Sequence, residues 1–218
     1  MSLVDYLISN NYLKTPIIID AFYKIKREDF LPEDLKDLSD LDQALPIGEG
    51  QTISQPAVVA FMLELLQPKP GEKILDIGSG SGWTTALLAQ IVSNQEDNKF
   101  SPKKGKVFAI EIIPELLEFG KKNISKYNFL KRGIVEFFCK DGKEGLKEEA
   151  PFDRILVSAA AKEVPKNLKE QLRIGGRIVI PISKNGGSFS QSIFMLEKKE
   201  KDKFKEEEYP GFVFVPLV

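Results

Sequence analysis

The 218-residue sequence has no histidine and only one cysteine, Cys139. Without histidine, Ser-His-Asp hydrolysis, imidazole acid–base catalysis and most transition-metal sites are excluded. A lone cysteine excludes an internal disulfide and a cysteine-based zinc site, and it fits a reducing cytoplasm. No metal site is expected. Cys139 itself reads as an inert core thiol, since nothing beside it would hold it as a thiolate. An excess of one charge is missing too: 31 Lys and Arg against 32 Asp and Glu leave a net charge of −1. That balance argues against a nucleic-acid partner, which needs a clustered basic surface. No apolar run could cross a bilayer, and the first residues lack the charged-then-apolar pattern of a signal sequence. The expectation is a cytoplasmic monomer with neither a nucleic-acid nor a membrane partner. Its chemistry must run on carboxylates, hydroxyls, backbone donors or a cofactor.

What is present is an ordinary globular composition, 42% hydrophobic and 29% charged, on a length suited to one domain with a substantial core. The chain is organised around residues 73–83, KILDIGSGSGW. An apolar run ends there in three alternating glycines, and the residues up to Val92 have the pattern of a helix. Strand, turn and helix of this kind open a nucleotide-binding α/β domain, with glycines where the chain reverses sharply and a ligand must touch bare backbone. A dinucleotide fold would carry G-x-G-x-x-G, but the third glycine is Gly82, and Trp83 stands where that pattern has glycine. G-x-G-x-G behind a strand that ends in an acid is similar instead to the class I methyltransferases, which bind S-adenosylmethionine.

The rest of the chain alternates around this unit. Helices are predicted over 3–13 and 16–26, the second with Thr15 as cap and Pro16 at its first position. Residues 1–45 read as a helical extension, with too little apolar material to fold alone. Residues 44–56 read as a loop of defined shape before a helix at 57–66. Strands follow at 74–77, 107–110, 134–138, 154–157 and 177–180, the last stopped by Pro181, with helices at 83–92, 114–128 and 165–172. Two polar loops, 93–105 and 184–188, break the pattern. Late strands at 190–196 and 212–215 have no helix between them. They suggest an antiparallel edge on a parallel sheet, and the charged run 197–208 suggests a solvated hairpin tip. The fold class is therefore α/β, a doubly wound, mostly parallel sheet. It is one domain over 1–218: the 1–45 extension, a cofactor-binding core at 46–181 and C-terminal strands at 182–218.

Ligands of open parallel sheets bind beyond the carboxyl ends of the strands. Glu111 closes the second core strand, where an acid can accept from ribose hydroxyls; read alone, it also suits a helix N-terminus. Asp141 beside Gly142 can accept from the exocyclic amine of adenine, or be a plain Asp-Gly turn. Asp76 is expected to bond the backbone N–H groups of the glycine turn, and Trp83 to pack between helix and sheet. Ser54, read alone, suits a helix cap.

The stretch ALPIGEGQTISQP at 44–56, followed by ILDIGSGSGW at 74–83, strongly resembles the protein-L-isoaspartate (D-aspartate) O-methyltransferase family. The resemblance continues at Asp141-Gly142, at 148–165 (EEAPFDRILVSAAAKEVP), at 172–182 (LRIGGRIVIPI) and at 214–217 (FVPL), and it includes Arg27–Phe30. It implies a Rossmann-like class I fold. It also implies methyl transfer from S-adenosylmethionine to the α-carboxylate of L-isoaspartyl or D-aspartyl residues in damaged proteins and peptides, leaving S-adenosylhomocysteine. The ester then collapses to a succinimide that can reopen to aspartate. By the same resemblance Ser54 is the active-site hydroxyl, Glu111 holds ribose, Asp141 and Gly142 hold adenine, and Gly78 and Gly80 hold the methionine end. Asp76, Ser79, Gly82 and Ile112 complete the cofactor set. Thr52, Ile53, Gln55 and Pro56 shape the substrate cleft, with Pro216 and Leu217 at its wall. The chain departs from the family in Trp83, where tyrosine is frequent, in lacking an aromatic over 38–41, and in a longer 93–105 loop. Two alternatives stand beside this one: a methyltransferase with another acceptor, and a donor-binding adaptor without transfer. A nicotinamide oxidoreductase is weaker.

Overall fold

Residues 73–77 are apolar toward both sides: Ile74, Leu75 and Ile77 are all buried. A strand of that kind needs a covering layer above and below. The computed structural model, which describes residues 1–93, 105–183 and 191–218, supplies both. The chain begins with helices α1 (Leu3–Ser9) and α2 (Pro16–Lys24) and two 3-10 turns, Arg27–Phe30 and Glu33–Leu38. A hairpin of β1 (Leu45–Gly48) and β2 (Gln51–Ile53) leads into α3 (Pro56–Leu66). The core then runs β3 (Lys73–Ile77), α4 (Trp83–Ser93), β4 (Lys106–Glu111), α5 (Pro114–Ile124), β5 (Val135–Cys139) and β6 (Phe152–Val157). It continues through α6 (Lys166–Gln171), β7 (Leu172–Ser183), β8 (Gln191–Glu200) and β9 (Lys203–Phe212).

The sheet order is β5-β4-β3-β6-β7-β8-β9, parallel as far as β7 and antiparallel beyond it. This is the expected α/β architecture with its antiparallel C-terminal edge. Ile74, Val107, Leu156 and Val179 face one apolar cluster, which takes in residues of α1 to α5. Leu75, Phe108, Ile155 and Ile178 face the other, closed by Leu146 and by Leu168 of α6. Strand order reverses between β3 and β6, and the crevice over their carboxyl ends is where such sheets take ligands. Among the described residues no helix is long and apolar enough to cross a membrane.

Several local expectations are corrected. Helix α1 stops at Ser9 rather than residue 13, because Asn11 turns to a positive φ of 60°. Thr15 stands at the cap position of α2 but makes no side-chain capping bond; its hydroxyl donates to Glu64 of α3 (2.6 Å), whose carboxylate also accepts from the Lys14 and Thr15 amides. The 44–56 loop contains the β1–β2 hairpin, reversed through Gly48, Glu49 and Gly50, all at positive φ. Pro181 does not end its strand. β6 pairs with β7 only as far as Val179, so no ladder bond is lost where proline has no N–H. The Pro181 carbonyl instead accepts from Ala161. The charged run 197–208 does hold the expected hairpin tip, at Lys201-Asp202, but it also supplies the end of β8 and most of β9, the last strand. As an edge strand, β9 keeps charges toward water that blunt further pairing. Residues 212–215 are largely a strap instead. Gln191 donates to the Phe214 carbonyl and accepts from its amide, and Val215 and Leu217 pair with Ala160. Cys139 is exposed rather than in the core, since it ends β5 at the sheet's edge. Of the two loops predicted from sequence, residues 94–104 and all of 184–188 lie outside the described residues.

Gly120 of α5 touches the glycine turn: a Cβ there would come 2.9 Å from the Gly80 carbonyl oxygen. In an open helix, glycine to alanine gains about 1 kcal/mol, whereas forcing atoms into packed backbone costs about 1–3 kcal/mol. Gly120→Ala should therefore lower the melting temperature. A rise on thermal denaturation would show that α5 moves off the turn without penalty.

Candidate active site

The glycine turn leaves β3 and is held by the neighbouring strand. The amides of Gly78 and Ser79 donate to the Ile110 carbonyl (2.9 and 3.1 Å), and that of Gly80 donates to the Glu111 carboxylate (2.9 Å). Glu111 is buried, and its other oxygen accepts from the Ile112 and Ile113 amides (2.9 and 3.1 Å). A carboxylate offers about four acceptor positions, so Glu111 braces the turn and keeps capacity for one more donor.

Over the turn lies a cleft of about 900 Å³. Its floor is Gly78, Ser79 and Gly80, one side is Glu111, Ile112 and Gly142, and its roof is Thr52, Ile53 and Ser54 of the hairpin. The C-terminal strap supplies Pro216 and Leu217. These sequence-predicted residues, which stand far apart in the chain, meet in one place. Ile112 is 41% exposed there, an apolar face open to a flat ring. Ser54 is half-buried, and among the described residues its hydroxyl has no partner.

Five other predicted residues do not line the cleft. Gly82 packs against α5, where a Cβ would lie 3.0 Å from the Gly120 oxygen. Asp141 caps the short turn at Gly142–Glu144 by accepting from the Lys143 amide (2.8 Å). Gln55 and Pro56 belong to the entry of α3: the Gln55 amide group donates to Asp42 (3.1 Å), and Pro56 is buried. Asp42 also accepts from the Ala57 amide (2.8 Å), so the capping role that Ser54 suited belongs to Asp42. Asp76 does not bond the turn. It is fully buried, accepts from the Thr85 hydroxyl (2.6 Å) and leaves its other oxygen without a partner.

Trp83 packs on the N-terminal extension rather than between helix and sheet, edge-on to Phe22 (5.7 Å) and under the Arg27 guanidinium (5.4 Å). It also lines the cleft, as do Ser158 and two residues that sequence reasoning did not select, Gln51 and Lys140. Ser158 follows β6 at the switch point, a place beyond a strand's carboxyl end that marks it as a candidate from sequence alone. Two buried polar atoms on cleft-lining residues, the Ser79 hydroxyl and the Trp83 ring N–H, lack partners among the described residues. Unpaired buried groups of this kind call for a ligand or water.

A model of the family described as Protein-L-isoaspartate(D-aspartate) O-methyltransferase (PCMT) matches residues 1–218. The chain belongs to this family. A protein-L-isoaspartate O-methyltransferase of Methanopyrus kandleri is 41% identical over 216 residues, covering 99% of this chain and 89% of that one. One from Staphylothermus marinus is 40% identical over 215 residues, covering 99% and 92%. A Plasmodium falciparum structure, whose description names the same methyltransferase in complex with S-adenosyl-L-homocysteine, superposes with a TM-score of 0.84 at 26% identity. It covers 99% of this chain and 96% of that chain. Family membership fits a cleft with a glycine floor, an acid at its side and an unpaired hydroxyl in its roof.

In this methyltransferase Asp76 has a consequence that can be measured. Burial, with the nearby Glu111 charge adding, pushes its carboxyl from 3.8 up to about 7 against the opposing Thr85 bond. Between roughly pH 4 and 7 the folded state then binds more protons than the unfolded one, so stability falls as pH rises. Three pKa units at about 1.4 kcal/mol each set a ceiling of about 4 kcal/mol. Asp76→Asn should remove this slope in urea titrations. An unchanged stability difference between wild type and variant across that window would mean that Asp76 stays ionised.

Proposed function

We propose that the cleft holds S-adenosylmethionine along the glycine turn and presents an isoaspartyl α-carboxylate beside Ser54. The chain then acts as the repair methyltransferase of its family. The observation that carries this reading is the half-buried Ser54 hydroxyl, free of partners among the described residues, in the roof of the same cleft whose floor is the glycine turn. The cofactor fits the residues present. Gly78, Ser79 and Gly80 would hold its methionine end, with the unpaired Ser79 hydroxyl available there. Glu111 would take a ribose hydroxyl, and Gly142 and Ile112 would border adenine, with Asp141 just behind them. When bound, S-adenosylmethionine supplies a methyl group on a sulfonium that leaves as a neutral thioether.

The protein's own part needs no general base, which suits a chain without histidine. A carboxylic acid with a pKa of about 4 is ionised at neutral pH. Ser54 donates a hydrogen bond to one oxygen of that carboxylate and so fixes the other, acting as a donor and not as a nucleophile. Thr52, Ile53, Pro216 and Leu217 wall the acceptor side and exclude water, so alignment supplies the rate. The lone cysteine supports a cytoplasmic setting. The same reading takes the protein as a monomer, a single domain over 1–218 with 1–45 as its extension, since Trp83 of the core packs on Phe22 and Arg27 of that extension.

The first test is methyl transfer to an isoaspartyl peptide and to its normal aspartyl counterpart, with base-labile methanol as the readout. Transfer to the isoaspartyl peptide alone is expected; equal transfer to both, or to neither, would favour another acceptor. A hydrogen bond to a charged group is worth about 1.5–3 kcal/mol, so Ser54→Ala should slow turnover about tenfold to a hundredfold and leave S-adenosylhomocysteine binding intact. Undiminished turnover would remove Ser54 from the chemistry.

A further inference from the structure

The hairpin that carries Ser54 is tied down at both feet by one side chain. Arg27 is 5% exposed, and its Nη2 donates to the carbonyl of Gln43, before β1 (2.8 Å), and to that of Ser54, after β2 (3.3 Å). Its Nη1 donates to the carbonyls of Ser39 and Leu41, both at 3.1 Å. The same guanidinium lies over the ring of Trp83, the first residue of α4 after the glycine turn. Arg27 is anchored from behind. The Lys26 amide donates to the Tyr127 hydroxyl (2.9 Å), and Asp29 accepts from Tyr127 (2.7 Å) and Lys126 (3.0 Å).

We propose that Arg27 is a positioning residue for the acceptor half of the site, holding Ser54 in register with the glycine turn through Trp83. This rests on the reading of the cleft as a methyl-transfer site. Stability alone does not account for Arg27. A cation desolvated among carbonyl oxygens is expensive even with the Asp42 charge to offset it, and a packed neutral side chain often does as well for stability. What only a guanidinium provides is a rigid planar fork able to reach four carbonyls at once while stacking on an indole. A lysine, with donors on a single point, can replace the Nη2 bonds to the two feet only by giving up the Ser39 and Leu41 carbonyls and the flat face against the indole.

The test compares Arg27→Ala with wild type, with and without added ethylguanidinium, which matches the atoms removed and can reach their place through the surface groove that Arg27 and Trp83 line. A misplacement of about 1 Å costs about a hundredfold, so kcat/KM for an isoaspartyl peptide should fall by about that factor. Affinity for S-adenosylhomocysteine should hold within about threefold, since no contact of Arg27 is to the glycine turn itself. Ethylguanidinium, but not ethylammonium, should restore turnover and return the emission of Trp83, the one tryptophan, to its wild-type value. Parallel loss of turnover and S-adenosylhomocysteine binding without rescue, or wild-type turnover in the variant, overturns the inference. If Arg27→Ala does not fold, Arg27→Lys carries the same test: it should bind S-adenosylhomocysteine normally with a depressed kcat/KM, and wild-type kinetics overturn the inference. A wild-type enzyme inactive on the peptide overturns the reading of the cleft as well, whereas an active wild type beside unaffected variants overturns this inference alone.

Discussion

One carboxylate bound by main-chain amides organises the molecule. Glu111 receives N–H groups from Gly80, Ile112 and Ile113 in the crevice where the strand order reverses. Bonds to a charged acceptor are among the stronger ones available inside a protein. Here they join the end of β4 to a turn leaving β3. The turn is thereby a fixed floor and not a loop that a ligand must first order, and α5 seals it from behind through the Gly120–Gly80 contact.

The remaining walls are brought to this floor by separate polar ties. Arg27 and Asp42 each bridge the chain before the hairpin to the chain after it, so the roof is held at its base while its tip stays in solvent. Gln191 does the same for the strap, gripping Phe214 by both amide and carbonyl. Each tie satisfies backbone groups that would otherwise be left without partners in irregular segments. The result is a site that stands largely preassembled, which is what a reaction limited by alignment requires.

The parts legible in the sequence are those written in short-range patterns. Apolar runs with glycine punctuation gave the order of the core elements, and their carboxyl ends marked Gly78, Gly80, Glu111 and Gly142. Gly82 and Asp141 stood in the right motifs but do not line the cleft: the Gly82 backbone lies against α5, and the Asp141 carboxylate bonds the Lys143 amide, because a motif records spacing and not what each residue contacts. The hairpin over 45–53 was hidden by Pro46 and three consecutive residues at positive φ, which read as loop. Cys139 looked internal because its strand is apolar, and only the strand order shows that the strand is an edge. Arg27 is marked only as part of the Arg27–Phe30 resemblance, with no sign of what it holds, and Asp42 and Gln191 carry no local signal at all. Their partners stand between 12 and 27 residues away, and only the folded chain brings them together.

The β8–β9 hairpin has a practical corollary. β8 starts beside the cleft, where Gln191 pairs with Ser183, and runs away from it to the Lys201-Asp202 reversal; β9 then returns to Phe212. The reversal therefore sits at the opposite pole of the sheet from the chemistry, on a charged edge open to solvent. A fluorophore, affinity handle or inserted peptide grafted there would ride on the enzyme without approaching either of its two ligands.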